Sequence, residues 1–388
     1  MPNNHYPTPR GVFVRDARLR WLSAIGVAVI FLVVRFWPLL IGKTLLFGDN
    51  YSLMVPGKSL IAEWLRQGVL PLWNPYALGG LSLVGDINQS LWYPSSVLFV
   101  LFSPAIALNI VILSHELIAF VGMFGLSWWW LQSRVIQNDA CIIDTTHSLR
   151  KTTAKSMSAQ VANDWVRFWL ACLAGVLWMF SPQVSGAINN IATIQSIVWL
   201  PAIIWAGMRL QTARSWSESW QRIAVVAGLL TVQLAGGYPQ HVLFSGAAAV
   251  GFSLLGRTRQ EVGGLIVRWS MVVVLLFGLS ALWWLPFRET LGESTRTFQS
   301  SAQAGAGSLH PADLLKMVAP YFFDNPVLGM KWGPQWNSMP NLSLYVGWLP
   351  LVMLVVLLIL GRYTKLDFVL GGSLVGTILF AFGDRLPL

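Results

Sequence analysis

Long apolar segments recur along this chain and constrain its fold more than any other feature. Nine stretches rich in Leu, Val, Ile, Phe and Trp are candidate membrane spans, at about 21–41, 105–131, 166–180, 191–208, 223–237, 241–255, 262–287, 342–360 and 368–382. Roughly 20 apolar residues form a helix that crosses a bilayer, where every backbone polar group must be paired internally. The sequence therefore predicts an all-α fold, a polytopic transmembrane helical bundle formed by residues 1–388 as a single transmembrane domain.

Composition excludes the soluble classes of protein. Only 11% of the residues are charged and 55% are hydrophobic, whereas charged residues make up about a quarter of a soluble domain. The formal charge of +10 would suit nucleic acid, but Lys and Arg fall in the gaps between apolar runs. The cysteines Cys141 and Cys172 form neither a disulfide framework nor a metal-ligand pattern. We expect contact with the lipid bilayer and none with nucleic acid.

The placement of basic residues predicts the orientation. Lys and Arg concentrate before the first span and in the short connections 134–167, 209–222, 257–268 and 362–365, which all fall on one side. The two longest connections, 42–104 and 288–341, lie on the other side with fewer basic residues. Because cytoplasmic loops carry the excess of positive charge, we expect a multi-pass cell-membrane protein with a cytoplasmic N-terminus and both long loops outside.

The first long loop, 42–104, predicts short helices at the membrane interface. Segment 56–67 places Leu60, Ile61 and Trp64 on one face and charged side chains elsewhere. Segment 91–102 is apolar but too short to span a bilayer. The loop is therefore expected to lie against the membrane surface.

Three features of this loop are candidates for chemistry. Asp49 directly follows the first span, as a catalytic base, a solvated loop acid or the acid of an Asx turn beside Gly48. Segment 70–80 contains prolines and aromatic residues, so it is either a specifically folded loop or an interfacial aromatic anchor. Asp86, near Gln89, could bind a metal ion, accept a hydrogen bond from a sugar hydroxyl or form a turn.

Ionisable residues also occur inside predicted spans. Arg35, His115 and Glu116 are functional candidates because a charge within a bilayer is costly. An ion pair between Arg35 and Glu116 would be the structural explanation, although Arg35 is near the end of its helix and Glu116 about midway along its own.

Ordered motifs give the chain a family resemblance. In the first loop, Asp49 is followed by Gln67-Gly68, by Pro71–Tyr76 and by Gly79-Gly80 and Tyr93-Pro94. The later motifs are 236–240, Leu285-Pro286 with Ser294 and Arg296, Pro320-Tyr321, 345–347 and 383–388. Together they resemble YfhO-type bacterial membrane proteins over essentially the whole chain, and the Trp73-Asn74-Pro75 motif is the most specific.

The resemblance implies a function and a longer chain. YfhO-type proteins are similar to glycosyltransferases of the GT-C class, which take a sugar from a polyprenyl-phosphate carrier on the outer face of the membrane. It implies that Asp49 occupies the position of the catalytic acidic residue. Family members are about twice as long, so we expect this chain to be the N-terminal part of a longer protein.

Sugar transfer from a lipid phosphate needs few groups. One carboxylate can accept the proton of the acceptor hydroxyl, and cations can hold the released phosphate. Asp49 is the expected base, and Asp86 is expected to orient the sugar or, with Asp49, a divalent metal ion. Arg288 and Arg296 are expected to bind phosphate, or else to be solvated charges. Expected substrate-binding residues also include Trp73, Asn74, Tyr76, Gln89 and His241, the last of which could instead be an interfacial histidine.

Two other functions remain open from the sequence. A lipid or glycolipid transporter or flippase would also be a basic, Trp-rich bundle, but such proteins typically contain internal repeats, and none is seen here. A non-catalytic scaffold for envelope assembly would explain the large loops. For the enzyme, the expected partners are a polyprenyl-phosphate-linked sugar donor and an envelope glycan or polymer acceptor. No other cofactor is indicated.

Overall fold

The described part of the chain is a bundle of helices with very little strand. The computed structural model describes residues 10–77, 79–143, 154–213, 215–255, 257–294, 308–325, 330–331, 344–361, 363 and 365–385. Five helical stretches are long and apolar enough to cross a membrane: Ala17–Leu40, Pro104–Ser133, Asp164–Asn189, Ile191–Leu210 and Arg259–Leu279. The helical content and these five stretches confirm the expectations of a mainly helical fold and of a membrane protein.

Fourteen helices and two short hairpins follow one another in these ranges. The first part holds α1 (Arg10–Leu40), α2 (Val55–Arg66), β1 (Trp73–Asn74), β2 (Leu81–Ser82) and α3 (Ser96–Leu101). The central part holds α4 (Pro104–Ile143), α5 (Ala154–Met179), α6 (Pro182–Ala187), α7 (Ile191–Ile197), α8 (Leu200–Leu210), α9 (Trp216–Ala235) and α10 (Pro239–Leu254). The last part holds α11 (Arg259–Leu279), α12 (Ala281–Gly292), β3 (Asp324–Asn325), β4 (Met330–Lys331), α13 (Trp348–Leu360) and α14 (Lys365–Phe382).

The observed helices differ from the predicted spans mainly where the backbone breaks. Segment 191–208 forms two helices, α7 and α8, and segment 262–287 divides at Ser280 into α11 and α12. Segments 223–237 and 241–255 are helical as α9 and α10, but neither is among the five candidate spans. Apolar composition alone does not fix these breaks, because they depend on local hydrogen bonding and packing.

The first loop contains one predicted short helix and part of the other. Segment 56–67 is helical as α2, whereas only Ser96–Leu101 of segment 91–102 forms a helix, α3. The proline-rich segment between them is not helical, as expected, but forms an antiparallel hairpin with Trp73 opposite Ser82. Backbone pairing across this hairpin was not predicted from the sequence.

Helix α4 is central to the packing of the bundle. It packs against α1, α5, α7 and α8. The rings of Phe120 and Phe124 are buried and stacked, with centroids 6.0 Å apart, and Trp21 of α1 meets Phe124 edge-on at 4.9 Å. On α5, Gly175 faces Phe120 so closely that an added Cβ would lie 2.7 Å from the ring. A small residue at this crossing lets the two helices approach each other.

A second core joins helices α8 to α11. Its buried apolar side chains include Ile203, Val226 and Trp269. The Trp269 indole donates a hydrogen bond to Ser253 Oγ at 3.1 Å, so the polar atom of this large side chain is paired inside the core. The two cores adjoin through Trp199, which packs against both of them.

The Gly175 contact can be tested with a matched pair of substitutions. We expect Gly175→Ala to destabilise the protein by about 1–3 kcal/mol, because the new methyl group overlaps with Phe120. Gly228→Ala is the control, since a Cβ at this position of α9 meets nothing within 4 Å and alanine favours a helix by about 1 kcal/mol. Thermal unfolding in detergent measures both. An equal response of the two variants would contradict the close α4–α5 contact.

Candidate functional site

Residues 42–104 fold onto one end of the bundle, which we call the loop end. Asn109, near the start of α4, donates a hydrogen bond to the Lys43 carbonyl of the first loop over 2.7 Å. Ser90 Oγ donates to the Gly236 carbonyl at the end of α9 over 2.7 Å. These contacts bring the first loop together with the ends of helices that are far apart in the sequence.

A buried asparagine attaches the start of this loop to α7. Asn50 Nδ2 donates to the Ile188 carbonyl at 2.7 Å, and Asn50 Oδ1 accepts a hydrogen bond from Ile191 N at 2.9 Å. The backbone adds a third bond, from Asn50 N to the Asn189 carbonyl at 2.9 Å. Gly48 has a φ of +57°, and a Cβ there would lie 3.2 Å from the Asn189 side chain. A glycine therefore suits both the turn and the close approach.

Asp49 is exposed at the surface and bonded to one buried side chain. Asn190 Nδ2 donates to Asp49 Oδ2 at 2.8 Å and also lies 3.3 Å from the Tyr238 hydroxyl. Asn190 Oδ1 accepts from Thr193 N at 3.2 Å, which caps α7 and turns the amide nitrogen towards Asp49. Asp49 makes no side-chain cap bond to its own turn, so the Asx-turn alternative is wrong. Its Oδ1 accepts no hydrogen bond from the described residues.

Tyr238 connects this carboxylate to His241. The two rings stack with centroids 5.3 Å apart and an interplanar angle of 22°. Within the described part of the chain, His241 Nδ1 is buried without a hydrogen-bond partner. The Tyr238-to-Asn190 contact therefore places His241 two side chains away from Asp49. We call Asp49, Asn190, Tyr238 and His241 the Asp49 cluster.

Asp86 lies next to a residue that contacts the turn before Tyr238. Gly237 has a φ of +107°, and a Cβ there would lie 2.5 Å from the Ile87 carbonyl oxygen. Asp86 immediately precedes Ile87, and its Oδ1 accepts a hydrogen bond from Asn88 N at 3.0 Å. The structure thus shows the turn that was one of three alternatives for Asp86. The Gly237-Tyr238 segment contacts Ile87, the neighbour of Asp86, and Asn190, the partner of Asp49.

The aromatic motif of the first loop forms an exposed hairpin. The Trp73 ring lies over Gly80, where a Cβ would overlap with it, and Asn74 Oδ1 accepts a hydrogen bond from Tyr76 N at 2.9 Å. Trp73 is 51% exposed and Tyr76 is 84% exposed. Rigid aromatic faces of this kind can contact a sugar ring or the membrane interface. The two alternatives for the motif therefore both remain predictions.

Gln89 lies beneath α2 rather than on the surface. Only 3% of it is exposed, and its amide fills the space beside Gly57, where a Cβ would overlap with it. Next to it, Lys58 is 1% exposed and donates from Nζ to the Ser90 carbonyl at 2.9 Å and to Ser96 Oγ at 2.7 Å. Burial lowers the pKa of Lys58 to about 7. These contacts hold α2 against the segment that leads to α3.

A second buried polar chain ties the loop to α4 and α8. Tyr93 OH bonds to His115 Nε2 at 2.7 Å, and Trp199 Nε1 donates to Tyr93 OH at 3.0 Å. His115 Nδ1 lies 2.7 Å from the Val111 carbonyl, which only accepts, so Nδ1 carries the proton and Nε2 accepts from Tyr93. Burial raises the pKa of Tyr93, which keeps its hydroxyl a donor. His115 therefore has a structural role here.

Arg288 lies on α12, which also borders the loop end. The helix touches the first loop at Gly85, where a Cβ would overlap with Thr290 Oγ1. Arg288 itself is exposed. Arg296, the other residue expected to bind phosphate, lies outside the described residues. The structure therefore locates Arg288 but not Arg296, and the phosphate-binding role of the pair remains a prediction.

Arg35 and Glu116 do not form the ion pair considered above. Arg35 donates a hydrogen bond to Ser185 Oγ at 3.0 Å, and its guanidinium lies over the Phe180 ring at 4.8 Å. Glu116 is fully buried, and neither carboxylate oxygen has a hydrogen-bond partner among the described residues. Arg35 acts on Glu116 only through a longer-range electrostatic interaction.

Metal ligands are sparse at the loop end. Within the described ranges, no group of three or more His, Cys, Asp or Glu side chains could hold a metal ion. The hypothesis of a divalent ion at Asp49 and Asp86 stays a prediction from the sequence.

Sequence reasoning missed the residues that hold Asp49 in place. Asn50 and Asn190 were not selected, and Tyr238 appeared only as part of a motif. The signal for Asn190 was available, because an asparagine directly before an apolar helical segment is a typical N-cap. No local pattern indicates that this cap also bonds to Asp49, which is 141 residues away.

Comparisons with protein-family models, with curated proteins and with solved structures find no match to this chain.

Burial of Lys58 predicts a dependence of stability on pH. Between its folded pKa of about 7 and the ordinary value of 10.5, the unfolded chain binds a proton that the folded chain has released. Raising the pH through this window therefore stabilises the fold, by up to about 1.4 kcal/mol per pH unit. We expect Lys58→Met to remove this component of the slope when thermal unfolding is measured from pH 7 to 10.

Lys43→Met is the matched control, because Lys43 is an exposed lysine at the same end of the bundle. It should leave the slope unchanged. An unchanged slope in Lys58→Met would show that Lys58 does not release its proton on folding.

Proposed function

We propose that the protein is a membrane glycosyltransferase of GT-C type, which moves a sugar from a polyprenyl-phosphate carrier to a cell-envelope acceptor on the outer face of the membrane. Asp49 is the general base. The observation that carries this proposal is the Asp49 carboxylate itself, exposed at the loop end and oriented through Oδ2 by the buried Asn190 amide.

The geometry of Asp49 suits a base. Its Oδ2 is held by Asn190 at 2.8 Å, while Oδ1 receives no hydrogen bond from the described residues. One oxygen can therefore fix the orientation while the other accepts a proton from a hydroxyl. Such positioned proton transfer contributes typically 10²–10⁴-fold to a rate.

The chemistry needs no second carboxylate. The acceptor oxygen attacks the anomeric carbon of the donor, the bond from this carbon to the phosphate oxygen breaks, and Asp49 takes the hydroxyl proton. The products are the glycoside and the polyprenyl phosphate, so atoms and charge balance without a co-reactant. A phosphate is already a good leaving group, so the remaining requirement is a cation to bind it. Arg288 and Arg296 are our candidates for this role.

Other residues of the loop end are assigned supporting roles. Asp86 directly precedes Ile87, whose carbonyl approaches Gly237 beside the Asp49 cluster, and this favours a role in orienting the sugar. Trp73, Asn74 and Tyr76 form an exposed hairpin that could bind an acceptor glycan by contact with a sugar face. His241 stacks on Tyr238 and could contact the donor or the acceptor.

The test is sugar transfer by the purified full protein in nanodiscs that contain a polyprenyl-phosphate-linked sugar. We expect Asp49→Asn to lower kcat about 10²–10⁴-fold, because the amide cannot accept the proton, and to leave thermal unfolding close to that of the wild type. Release of polyprenyl phosphate and formation of the glycoside should fall together. Transfer by Asp49→Asn at the wild-type rate would exclude Asp49 as the base.

Glu63→Gln is the matched control, because Glu63 is an exposed acid of the same loop on α2. It should transfer sugar at the wild-type rate. If the wild type instead moves the intact lipid carrier between leaflets without forming a glycoside, the transporter alternative is correct. If it does neither, the scaffold alternative is favoured.

A further inference from the structure

Arg35 is a charged residue in a membrane-crossing helix that the proposed reaction does not use. It lies five residues before the end of α1 at Leu40, next to a kink where Phe36 has the non-helical angles φ −111° and ψ 21°. Its side chain is exposed at the surface of the bundle. In a membrane this surface faces lipid, where an arginine is costly unless an anion or water reaches it.

The described residues pair little of the Arg35 guanidinium. Within this part of the chain, one of its five N–H donors bonds to Ser185 Oγ at 3.0 Å. The Phe36 and Phe180 rings lie 5.3 Å and 4.8 Å from the guanidinium carbon, which stabilises the cation but accepts no conventional hydrogen bond. The nearby acid, Glu116, is buried and makes no ion pair with it. This exposed side chain therefore has hydrogen-bonding capacity that the described residues do not use.

Another arginine of the protein is held by two backbone carbonyls. Arg66 donates to the Phe99 and Val100 carbonyls at 2.7 Å and 2.9 Å. Arg35 differs, because its one hydrogen-bond partner among the described residues is a small hydroxyl. The planar guanidinium fork of an arginine binds a phosphate in a bidentate manner.

The partner of Arg35 is close in sequence to the residues that hold Asp49. Ser185 belongs to α6, and the chain continues through Ile188 and Asn189, which bond to Asn50, to Asn190, which bonds to Asp49. Five residues can span at most about 17 Å. Arg35 therefore contacts, through Ser185, the short element that positions the proposed base.

We propose that Arg35, together with Ser185, binds the phosphate of the lipid carrier as this carrier lies in the membrane beside the loop end. The inference rests on the proposed function and adds the residue that receives the donor from the lipid. Arg35 is a positioning residue, since it holds the carrier while other groups perform the transfer. The ligand chemistry is a phosphate on a membrane-embedded chain.

The direct test measures lipid binding without catalysis. Wild type and Arg35→Gln are placed in phosphatidylcholine nanodiscs with polyprenyl monophosphate as the probe, and bound carrier is counted by native mass spectrometry. We expect Arg35→Gln to bind the carrier roughly 10–100-fold more weakly, because the charged hydrogen bonds to the phosphate are lost. Arg259→Gln is the matched control, an exposed arginine at the start of α11, and should bind as the wild type.

Two further measurements separate binding of the carrier phosphate from loss of folding and from binding of ordinary lipid. Arg35→Lys keeps the charge without the fork, so it should fold as the wild type and bind the carrier with intermediate affinity. Phosphatidylglycerol replaces the carrier in a parallel series and should show no dependence on Arg35. Wild-type binding by both Arg35 variants would overturn the proposal. An equal loss of phosphatidylglycerol would also overturn it, because Arg35 would then bind ordinary lipid.

Failure of this inference is distinguishable from failure of the proposed function. If Asp49→Asn abolishes transfer while Arg35→Gln keeps the wild-type KM for the carrier, the enzyme assignment stands and the Arg35 site is wrong. If carrier binding depends on Arg35 but the wild type transfers no sugar, the phosphate site stands and the transferase is wrong. With both correct, Arg35→Gln raises KM more than it lowers kcat.

Discussion

The arrangement of the loop end depends on one buried asparagine. Asn50 is fully buried, and both ends of its amide bond to the backbone around α7, at Ile188 and Ile191. A buried amide without these partners would cost a few kcal/mol, roughly 1–3, so the first loop and the α6–α7 connection are fixed as one unit. The position of the neighbouring Asp49 is fixed by these Asn50 hydrogen bonds. Its exposure and its bond to Asn190 follow from where Asn50 is held.

The rest of the first loop is fastened by polar groups that are buried in the bundle. Lys58 bonds to the segment before α3, and Tyr93 joins His115 and Trp199 in a chain with defined donors and acceptors. Paired in this way, such groups specify one position for the loop, because any displacement leaves them unsatisfied. A loop that only anchored a helix end would not require this attachment. The contacts support a rigid site.

Two features beside the α6–α7 connection have complementary chemistry. The carboxylate of Asp49 is oriented by Asn190, and the guanidinium of Arg35 bonds to Ser185. The proposed base and the proposed phosphate-binding cation would suit a reaction between an acceptor hydroxyl and a membrane-borne donor. Both proposals rest on the same short element, so they can be tested in one set of variants.

The amino-acid sequence alone determined the helices and some features of the first loop. The apolar runs determined the helices, since a chain in lipid must pair its own backbone groups, and helices do so locally. The predicted helix at 56–67 and the exclusion of a regular helix from 70–80 were confirmed for the same local reason. Asp49 could be singled out from its position after the first span and from the family resemblance. Only the tertiary structure decided its partner, since Asn190 lies 141 residues away. It also decided that Arg35 faces outward while Glu116 is buried, because helix rotation and long-range packing have no signature in local sequence.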